Sequence, residues 1–293
     1  MRVLVTGSEG FLGKHICAAL KNRGHDVVGL DSAPGAEIVA DITKVMPIMK
    51  VDAVIHLAAV ASPSVCVANP DLAFNVNVLG THQTLRLALE SGAKKFVFSS
   101  SAHVYDIPPK YMPTDECHPL RLNNIYTTTK LLGEQLCHLF WENHGLSYTT
   151  LRLFNAYGPG QGKGYFIPDQ LGKARHGEIE LLGGTTTKDW VYVDDVARAF
   201  VLAVESGFVG AINIGTGLET PLSHIAQTIG TAFRVPVTHI SSPNTTRMQA
   251  DCRRAWQVLG WAPKVDIQDG LNAIIDQSKA ESIPAQPPDP RRN

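Results

Sequence analysis

The feature that most constrains this chain is its opening stretch, where a short apolar run leads into three glycines at intervals of three residues. The run covers residues 2–6, and Gly7, Gly10 and Gly13 follow it. A strand, a glycine turn and a helix start in this order present free backbone N–H groups and the positive end of a helix dipole to an anion. The spacing differs from the common G-x-G-x-x-G. The turn alone therefore fits either a dinucleotide pyrophosphate or a turn that needs glycine for a positive φ.

The next residues complete a strand-helix-strand unit. Residues 10–22 carry apolar side chains at nearly helical spacing, and residues 26–30 return as a second apolar run that ends at Asp31. Asp31 stands 18 positions after Gly13. A carboxylate there can accept hydrogen bonds from both hydroxyls of an adenosine ribose and would repel a 2′-phosphate, which favours NAD over NADP. The alternative is an aspartate that only stabilises a turn.

The alternation of strand and helix continues beyond this unit. Strand-like runs recur at 53–57, 95–99 and 148–151, with helical patterns at about 71–91 and 123–144 between them. This order predicts an α/β fold of the Rossmann type, in which helices cover both faces of a doubly wound parallel sheet. Ligands of such sheets bind at the carboxyl ends of the strands. Residues at those ends should line one crevice, and they are Asp41, Ile42, Ala58, Ala59, Ser99, Ser100 and Ser101.

The chain divides at about residue 155, where the regular alternation gives way to loops rich in glycine and proline. We expect residues 1–155 to form the NAD-binding Rossmann domain, to which the chain returns at about 185–215. Residues 156–280 should form mainly a smaller, substrate-binding lobe. Residues 281–293 hold four prolines and little apolar periodicity, which predicts a disordered tail.

Composition and charge exclude several classes of protein. The formal net charge of −1 gives no electrostatic reason to expect a nucleic acid or an anionic membrane as partner. The cysteines are five in number and widely scattered, so neither a disulfide framework nor a metal site is predicted. The sequence shows neither a secretory leader nor an apolar segment of membrane-spanning length. We therefore expect a cytoplasmic protein.

A candidate catalytic group combines a phenol, an ammonium and a hydroxyl. Tyr126 and Lys130 are four residues apart and hence share one helix face. A nearby cation favours the phenolate, so Lys130 should move the pKa of Tyr126 toward neutral values, and an oxidised nicotinamide would add to that effect. Ser101, at a strand end, can hydrogen-bond the substrate oxygen that gains and loses the proton. Taken alone, a Tyr and a Lys at this spacing also fit an exposed helix pair.

Many ordered motifs between about residues 2 and 275 resemble one family. These are TGSEGFLG from Thr6, HLAA from His56, NVLGT from Asn77, FSSSAHVY from Phe98, YTTTK from Tyr126, RLFNAYGPG from Arg152, KDWVYVDD from Lys188, NIG from Asn213 and LGW from Leu259. The chain is thereby similar to the extended short-chain dehydrogenases/reductases, specifically the branch of NAD-dependent nucleotide-sugar epimerases and dehydratases.

The resemblance implies a role for individual residues. In this family the cofactor contacts would be made by Gly7, Gly10, Phe11, Leu12, Asp31, Asp41, Ile42, Ala58, Asn77, Tyr126 and Lys130. Ser101 stands 25 residues before Tyr126, where family 4-epimerases carry a catalytic Ser or Thr. Asn155 and Lys188 fall where the family contacts the phosphates of the nucleotide, although Arg is commoner than Lys at the second position.

The sequence departs from the family pattern at several places. YTTTK replaces the usual Y-G-x-S-K, and the usual Arg-Pro-Gly-Asp segment is absent, so that Arg247 is the nearby candidate for a phosphate clamp. His103 stands where epimerases typically have Thr and 4,6-dehydratases have the Glu of an Asp-Glu pair, which argues against a standard dehydratase. A histidine there would titrate near neutral pH and could carry a second proton, or it could simply hold a loop.

The resemblance implies an NAD-dependent 4-epimerase of a nucleotide sugar, with a UDP-sugar as the expected substrate and a transient 4-keto sugar as intermediate. A 4-keto-sugar reductase or a dehydratase/decarboxylase on the same scaffold is the alternative, and a non-catalytic NAD(P)-sensing protein is the alternative from another class. A homodimer built through the Tyr-Lys helix is expected. The apolar residues of that helix fit either this interface or core packing, and they are Leu131, Leu132, Leu136, Leu139 and Phe140.

Overall fold

The structure is a computed structural model that describes residues 1–243 and 245–280, so the predicted disordered tail at 281–293 lies outside the described residues. The strands, in chain order, are β1 (Arg2–Thr6), β2 (Asp26–Asp31), β3 (Ile38–Val39), β4 (Ala53–His56), β5 (Lys95–Ser101), β6 (Ser147–Leu153), β7 (Asn155–Tyr157), β8 (Ile179–Leu182), β9 (Thr187–Lys188), β10 (Trp190–Tyr192), β11 (Gly210–Ile214), β12 (Thr220–Pro221) and β13 (Val237–Ile240).

The helices connect these strands. In chain order they are α1 (Phe11–Asn22), α2 (Pro63–Ala68), α3 (Pro70–Phe74), α4 (Gly80–Glu90), α5 (Ile125–His144), α6 (Phe166–Arg175), α7 (Val193–Glu205), α8 (Leu222–Phe233), α9 (Arg253–Leu259) and α10 (Ile267–Ala280). A π-helical turn at Asn75–Leu79 joins α3 to α4, and a 3₁₀ turn at Ala102–Val104 follows β5. None of the helices in the described ranges is long and apolar enough to cross a membrane.

Seven of these strands form one parallel sheet in the order β11-β6-β5-β4-β1-β2-β3. The chain winds from β1 to β2 and β3 in one direction, and from β4 to β5, β6 and β11 in the other. The strand order therefore reverses between β1 and β4, which is where open α/β sheets bind their ligands. The Rossmann-type fold class predicted from the alternation is confirmed.

Both faces of the sheet are buried, and the period of two along each strand divides its side chains between two cores. Val3 and Val5 of β1 point to the face that α1 and α7 cover, whereas Leu4 points to the face that α4 and α5 cover. A third apolar cluster, which includes Ile167 and Ile225, fills the space among α6, α8 and α10. The predicted boundary near residue 155 between a cofactor domain and a substrate lobe stays a prediction.

The predicted continuous helix at 71–91 differs from the structure. Helix α3 ends at Phe74, and a π-helical turn of five residues precedes α4. A π turn inserts an extra residue into the helical repeat, and such turns are frequent at functional sites. Here the turn carries Asn77, whose side chain hydrogen-bonds the loop before α2. Apolar periodicity does not report such an insertion, because the buried face continues through it.

A substitution at Gly13 tests how α1 packs on the glycine turn. A Cβ atom at Gly13 would lie 2.1 Å from the Gly7 carbonyl oxygen and 2.7 Å from the Ser8 carbonyl carbon, and these backbone atoms cannot move aside. We expect Gly13→Ala to lower the free energy of unfolding by about 1–3 kcal/mol, measured by urea denaturation. The matched control is Gly172→Ala in α6, where a Cβ meets open space. Helix propensity should raise its stability by about 0.5–1 kcal/mol. Equal stabilities for the two variants would contradict the described packing.

Candidate active site

A cavity of about 850 Å³ opens at the carboxyl ends of the parallel strands. Its wall brings together most of the residues that the sequence singled out. From those predictions it contains Gly7, Gly10, Phe11, Leu12, Asp31, Asp41, Ile42, Ala58, Ser101, His103, Tyr126, Lys130 and Asn155. The expectation that the strand ends line one crevice is confirmed, since Ala59, Ser99 and Ser100 also lie on the wall.

The glycine turn forms one end of the cavity with bare backbone. Gly7 has a φ of +74°, and a Cβ atom on it would lie 2.7 Å from the Ala58 nitrogen. Its N–H donates to the Leu30 carbonyl at 2.8 Å, which fixes the turn on β2. Gly10 then caps helix α1 in an extended conformation, so the N-terminal end of the helix faces the cavity. This arrangement fits a pyrophosphate, because the glycines leave room for an anion to approach the backbone N–H groups at the start of the helix.

Two of the predicted cofactor contacts, Asp31 and Asp41, are held in place by backbone amides. The Asp31 carboxylate accepts hydrogen bonds from the Glu9 N–H at 2.9 Å and from the Ala33 N–H at 3.0 Å. Asp41 accepts from the Thr43 N–H at 2.8 Å, and this hydrogen bond lowers the pKa of the Asp41 carboxyl group. Both carboxylates are therefore oriented by backbone donors. The donor and acceptor set of this end of the cavity fits an adenosine half whose ribose is unphosphorylated.

The proposed catalytic group lies where α5 begins beside the end of β5. Asn124 caps α5 by accepting from the Thr127 N–H at 2.9 Å, and the first two turns of the helix carry Tyr126 and Lys130. The Lys130 ammonium group donates to the Ser99 carbonyl at 2.9 Å. Ser101 ends the same strand, so the hydroxyl, the phenol and the ammonium group share one stretch of cavity wall.

Burial controls the ionisation of this group. It raises the pKa of Tyr126 to about 12, and interaction with the Ser101 hydroxyl offsets part of that rise. It also lowers the pKa of Lys130 to about 8. Burial is thus the largest influence on the pKa of Tyr126, and the prediction that Lys130, together with an oxidised nicotinamide, moves this pKa toward neutral values stays a prediction.

His103 is a hydrogen-bonding partner of Ser101. Its Nδ1 lies 3.1 Å from the Ser101 hydroxyl oxygen, and its backbone N–H donates to the same oxygen at 3.2 Å. Burial, with a smaller contribution from the positive charge of Lys188, lowers the pKa of His103 to about 4. The prediction that this imidazole titrates near neutral pH is wrong, since it is neutral there and can only exchange hydrogen bonds.

Two of the predicted ligand contacts, Asn77 and Lys188, are not among the residues that line the cavity. Asn77 is buried, and its amide accepts from the Val60 N–H at 2.7 Å and donates to the Thr129 hydroxyl at 3.0 Å. It thus ties the wall residue Val60 to the helix that carries Lys130 and is not itself part of the cavity wall. Lys188 is mostly buried, and the nitrogen of its ammonium group lies 3.4 Å from the Met248 sulfur. Burial lowers the pKa of Lys188.

Arg247 is placed differently from the phosphate clamp that the sequence suggested. Its guanidinium group pairs with the Glu219 carboxylate, with Nε 2.9 Å from Oε1, and its side chain is 60% exposed. Glu219 also accepts from the Thr187 hydroxyl. Arg247 does not lie on the cavity wall, and its guanidinium group satisfies a neighbouring carboxylate at the surface, so its role as a phosphate clamp stays a prediction.

Sequence reasoning missed several residues of the wall. Gln161 lies within a loop that has four glycines, Tyr165 and Phe166 follow this loop, and Trp190 of β10 packs against Phe166. The glycine-rich loop could have indicated a segment close to a ligand, but nothing local tells which of its side chains turn inward. Within the described ranges, no group of His, Cys, Asp and Glu could hold a metal ion.

Asp189 is a second omission, and it organises the loops around Lys188. Its fully buried carboxylate accepts from the backbone N–H groups of Thr216 at 2.6 Å, Gly217 at 2.8 Å and Ala250 at 3.0 Å. Its own carbonyl accepts from the Asn155 side chain at 3.1 Å. The residue lies in a quoted motif, but only the folded chain shows that one carboxylate joins three separate loops.

The chain is similar in sequence to proteins of known activity. A model of the NAD dependent epimerase/dehydratase family matches residues 3–215. The chain is 33% identical to the UDP-glucose 4-epimerase of Mycolicibacterium smegmatis over 314 residues, which cover 94% of this chain and 98% of that protein. It is 29% identical to UDP-glucuronic acid decarboxylase 6 of Arabidopsis thaliana over 299 residues, which cover 92% and 87% of the two chains.

A solved structure shows the same similarity in three dimensions. MoeE5 in complex with UDP-glucose and NAD superimposes with a TM-score of 0.88 at 28% identity. The match covers 97% of this chain and 100% of that one. The likeness therefore extends over both the parallel sheet and the C-terminal loops.

The low pKa of His103 leads to a measurable effect on stability. Unfolding returns its pKa from about 4 to the ordinary value of 6.5, so the unfolded chain binds the proton more readily below that value. Stability contributed by the neutral imidazole is present above pH 6.5 and declines as the pH falls toward 4. We expect His103→Gln to flatten the fall of the unfolding free energy in this window, measured by urea denaturation at several pH values. The exposed His224→Gln is the control, and identical slopes for wild type and both variants would contradict the assignment.

Proposed function

The chain belongs to the NAD-dependent epimerase/dehydratase family, and on that premise we propose that it is a UDP-sugar 4-epimerase. The observation that carries the proposal is the grouping of Ser101, Tyr126 and Lys130 on one wall of a cavity whose far end is the glycine turn. The chain is an NAD-dependent enzyme. The finer assignment to UDP-sugars is supported by the UDP-glucose 4-epimerase relative and by the UDP-glucose complex of MoeE5, both of which match almost the whole chain.

The cavity divides the work of holding NAD among residues already described. Gly7, Gly10 and the start of α1 would receive the pyrophosphate, Asp31 the adenosine ribose, and Tyr126 with Lys130 the nicotinamide ribose. NAD supplies the capacity to take a hydride from a sugar carbon and to return it. Because the hydride is returned, an epimerase needs no net oxidant, and the protein has only to manage the proton and the orientation of the sugar.

Proton transfer falls to the group on α5 and β5. Tyr126 takes the proton of the sugar hydroxyl and later gives it back, while Ser101 holds the same oxygen by a hydrogen bond. Since burial keeps the pKa of Tyr126 at about 12, the phenolate needs positive charge nearby. Lys130 provides one charge, and the oxidised nicotinamide ring would add another. Neutral His103 fixes the direction of the Ser101 hydroxyl.

The nucleotide half of the substrate would lie toward the C-terminal loops. Lys188 is a mostly buried cation beside a sulfur atom, so a phosphate there would gain a charged partner with little competition from solvent. Asn155, which Asp189 anchors, borders the same side of the cavity. Arg247, which pairs with Glu219 at the surface, is the remaining candidate for a phosphate contact.

A decarboxylase of UDP-glucuronic acid is the second candidate, since an Arabidopsis relative with that activity matches most of the chain. The influence of the Lys188 charge on His103 favours it, because a substrate carboxylate near this pair would meet a cation. Incubation with UDP-galactose, UDP-glucose and UDP-glucuronic acid separates the two candidates. Release of carbon dioxide from the last substrate, without interconversion of the first two, would replace the epimerase by the decarboxylase.

Removing the phenol of Tyr126 tests the chemistry directly. We expect Tyr126→Phe to lower kcat for UDP-galactose epimerisation by about 10²–10⁴-fold while NAD remains bound, because the proton acceptor is lost and the ring is kept. Product is measured by chromatography of the sugar nucleotides. The control Tyr111→Phe removes an exposed phenol outside the cavity and should keep wild-type turnover. Undiminished turnover in Tyr126→Phe would reject the assigned base, and a wild type that binds NAD without any turnover would favour a sensing protein.

We also propose a homodimer formed through α5. On this helix Leu131 and Phe140 are buried in the core, whereas Leu132 and Leu139 are 36% and 50% exposed. The neighbouring π turn and α3 add exposed apolar side chains, including Phe74. A second copy could cover this apolar strip by a two-fold, self-complementary contact.

Charge placed on this strip should separate the subunits. We expect Leu139→Glu to convert the dimer to a monomer in sedimentation velocity, because dimerisation would bury a carboxylate without a partner. Leu182→Glu, at an exposed position on β8, is the control and should leave the sedimentation coefficient unchanged. A wild-type monomer, or a dimer that persists in Leu139→Glu, would reject this interface.

We place the enzyme in the cytoplasm. Its cysteines are free thiols throughout the described ranges, and two of them, Cys66 and Cys137, are buried. Such usage is typical of reducing compartments.

A further inference from the structure

A buried carboxylate joins the two elements that carry the catalytic group. Glu134 lies one helical turn after Lys130 on α5, and its Oε1 accepts from the hydroxyl of Ser100 at 2.6 Å. Arg152 of β6 donates to the same oxygen through Nε at 3.0 Å and to Oε2 through its terminal nitrogen at 2.7 Å. Both charged side chains are almost fully buried, with 7% and 6% exposed.

The guanidinium group continues this connection away from the cavity. Arg152 donates to the Tyr105 hydroxyl at 3.1 Å and lies 5.1 Å from the centroid of that ring. The Tyr105 hydroxyl in turn donates to the Asn213 side chain of β11, and the Asn213 N–H donates to the Glu116 carboxylate at 2.8 Å. The Glu134 carboxylate and the polar groups linked to it therefore connect α5 and strands β5, β6 and β11 behind the catalytic wall.

Stability alone is a weak reason for such a pair. Removing two charges from water costs several kcal/mol, and apolar residues of similar volume often stabilise a core equally well. What apolar residues cannot do is fix a direction. Glu134 receives three directed hydrogen bonds, one of them from Ser100, the residue next to Ser101. The carboxylate thus sets how the end of β5 lies against the helix turn that holds Lys130.

We propose that Glu134 is a positioning residue for the catalytic group, holding the Ser101 end of β5 and the Tyr126–Lys130 face of α5 in one register. The expected change in kcat rests on the proposed function, whereas the expected change in NAD affinity does not. Glu134 itself does not lie on the cavity wall, so it acts through its neighbours.

Glu134 also influences the charge of Lys130. The titratable groups that interact electrostatically with this ammonium group are Glu134 on α5, the Cys66 thiol of α2 and His56 of β4. Burial lowers the pKa of His56 to about 3, so this imidazole is neutral. Burial lowers the pKa of Lys130, and the Glu134 carboxylate raises it. Replacing the carboxylate by an amide would also leave the Arg152 charge without its partner. The pKa of Lys130 should then fall below about 8.

The variant Glu134→Gln tests the positioning role with little change in shape. We expect kcat to fall by about 10- to 100-fold with KM within about threefold of wild type, since catalytic groups are misplaced while substrate contacts remain. The alkaline limb of the kcat profile should move to lower pH because Lys130 loses its proton earlier. The matched control is Glu142→Gln, an exposed position on the same helix, which should reproduce wild-type kcat and pH profile.

A binding measurement separates this inference from the proposed function. The affinity for NAD, measured by calorimetry across the pH range, does not depend on which sugar the enzyme uses. We expect the alkaline loss of NAD affinity to begin at lower pH in Glu134→Gln than in wild type and Glu142→Gln. Wild type without epimerase activity but with this shift would reject the function and keep the positioning role. Normal kcat and an unshifted affinity profile in a folded Glu134→Gln would overturn it.

A milder variant covers the case in which Glu134→Gln does not fold. Ser100→Ala removes one hydrogen bond to Glu134 and leaves the ion pair with Arg152 intact. We expect kcat to fall by about 3- to 10-fold with KM unchanged, because one link between β5 and α5 is lost. Since Ser100 also borders the cavity, a rise in KM at constant kcat would mark a direct substrate contact and would reject its link to Glu134 as the cause.

Discussion

The close contact between α5 and β5 is the constraint on which the active site depends. A Cβ atom at Gly133 would lie 2.4 Å from Cζ of Phe98, so the helix can lie on the strand only because this position has no side chain. The contact brings the first two turns of α5 beside the end of β5. Lys130 then reaches the Ser99 carbonyl, and Glu134 reaches the Ser100 hydroxyl. The catalytic group is therefore a product of helix packing on a strand, with its polar contacts set by that distance.

The parts of the molecule that could be predicted from sequence are those that local chemistry determines. The glycine turn, Asp31 and the strand ends follow from spacing and alternation, and the structure places them around one cavity. Asn77 and Arg247 show where such reasoning stops. Each side chain found a partner in a distant segment, Val60 for the first and Glu219 for the second. A motif identifies which residue stands at a position, but competition among neighbouring partners decides which way it points.

The predicted pKa of His103 is wrong for a related reason. Chemical reasoning from sequence counts the charges that are near in the chain, such as Lys130 four residues after Tyr126. It does not see how much water the fold removes. In the structure burial is the largest influence on Tyr126, Lys130 and His103, and it disfavours the charged form of each. Such a site disfavours charged side chains by itself, so the charge of a bound ligand can shift the pKa values of its groups strongly.

The same physical property explains how one scaffold can serve relatives with different activities. In the proposed mechanism the group on α5 and β5 moves a proton to and from a hydroxyl, whatever the sugar. Under the proposed function, the choice of sugar must come from other groups, and we infer that these belong to the C-terminal loops that Asp189 joins through its contacts with Thr216, Gly217 and Ala250. Lys188, next to this carboxylate in the chain, is mostly buried and has a sulfur atom as its hydrogen-bonding contact. A buried cation in that position favours an anionic ligand group, and under the proposed function the distance between that group and the hydroxyl at Tyr126 would select which substrates react.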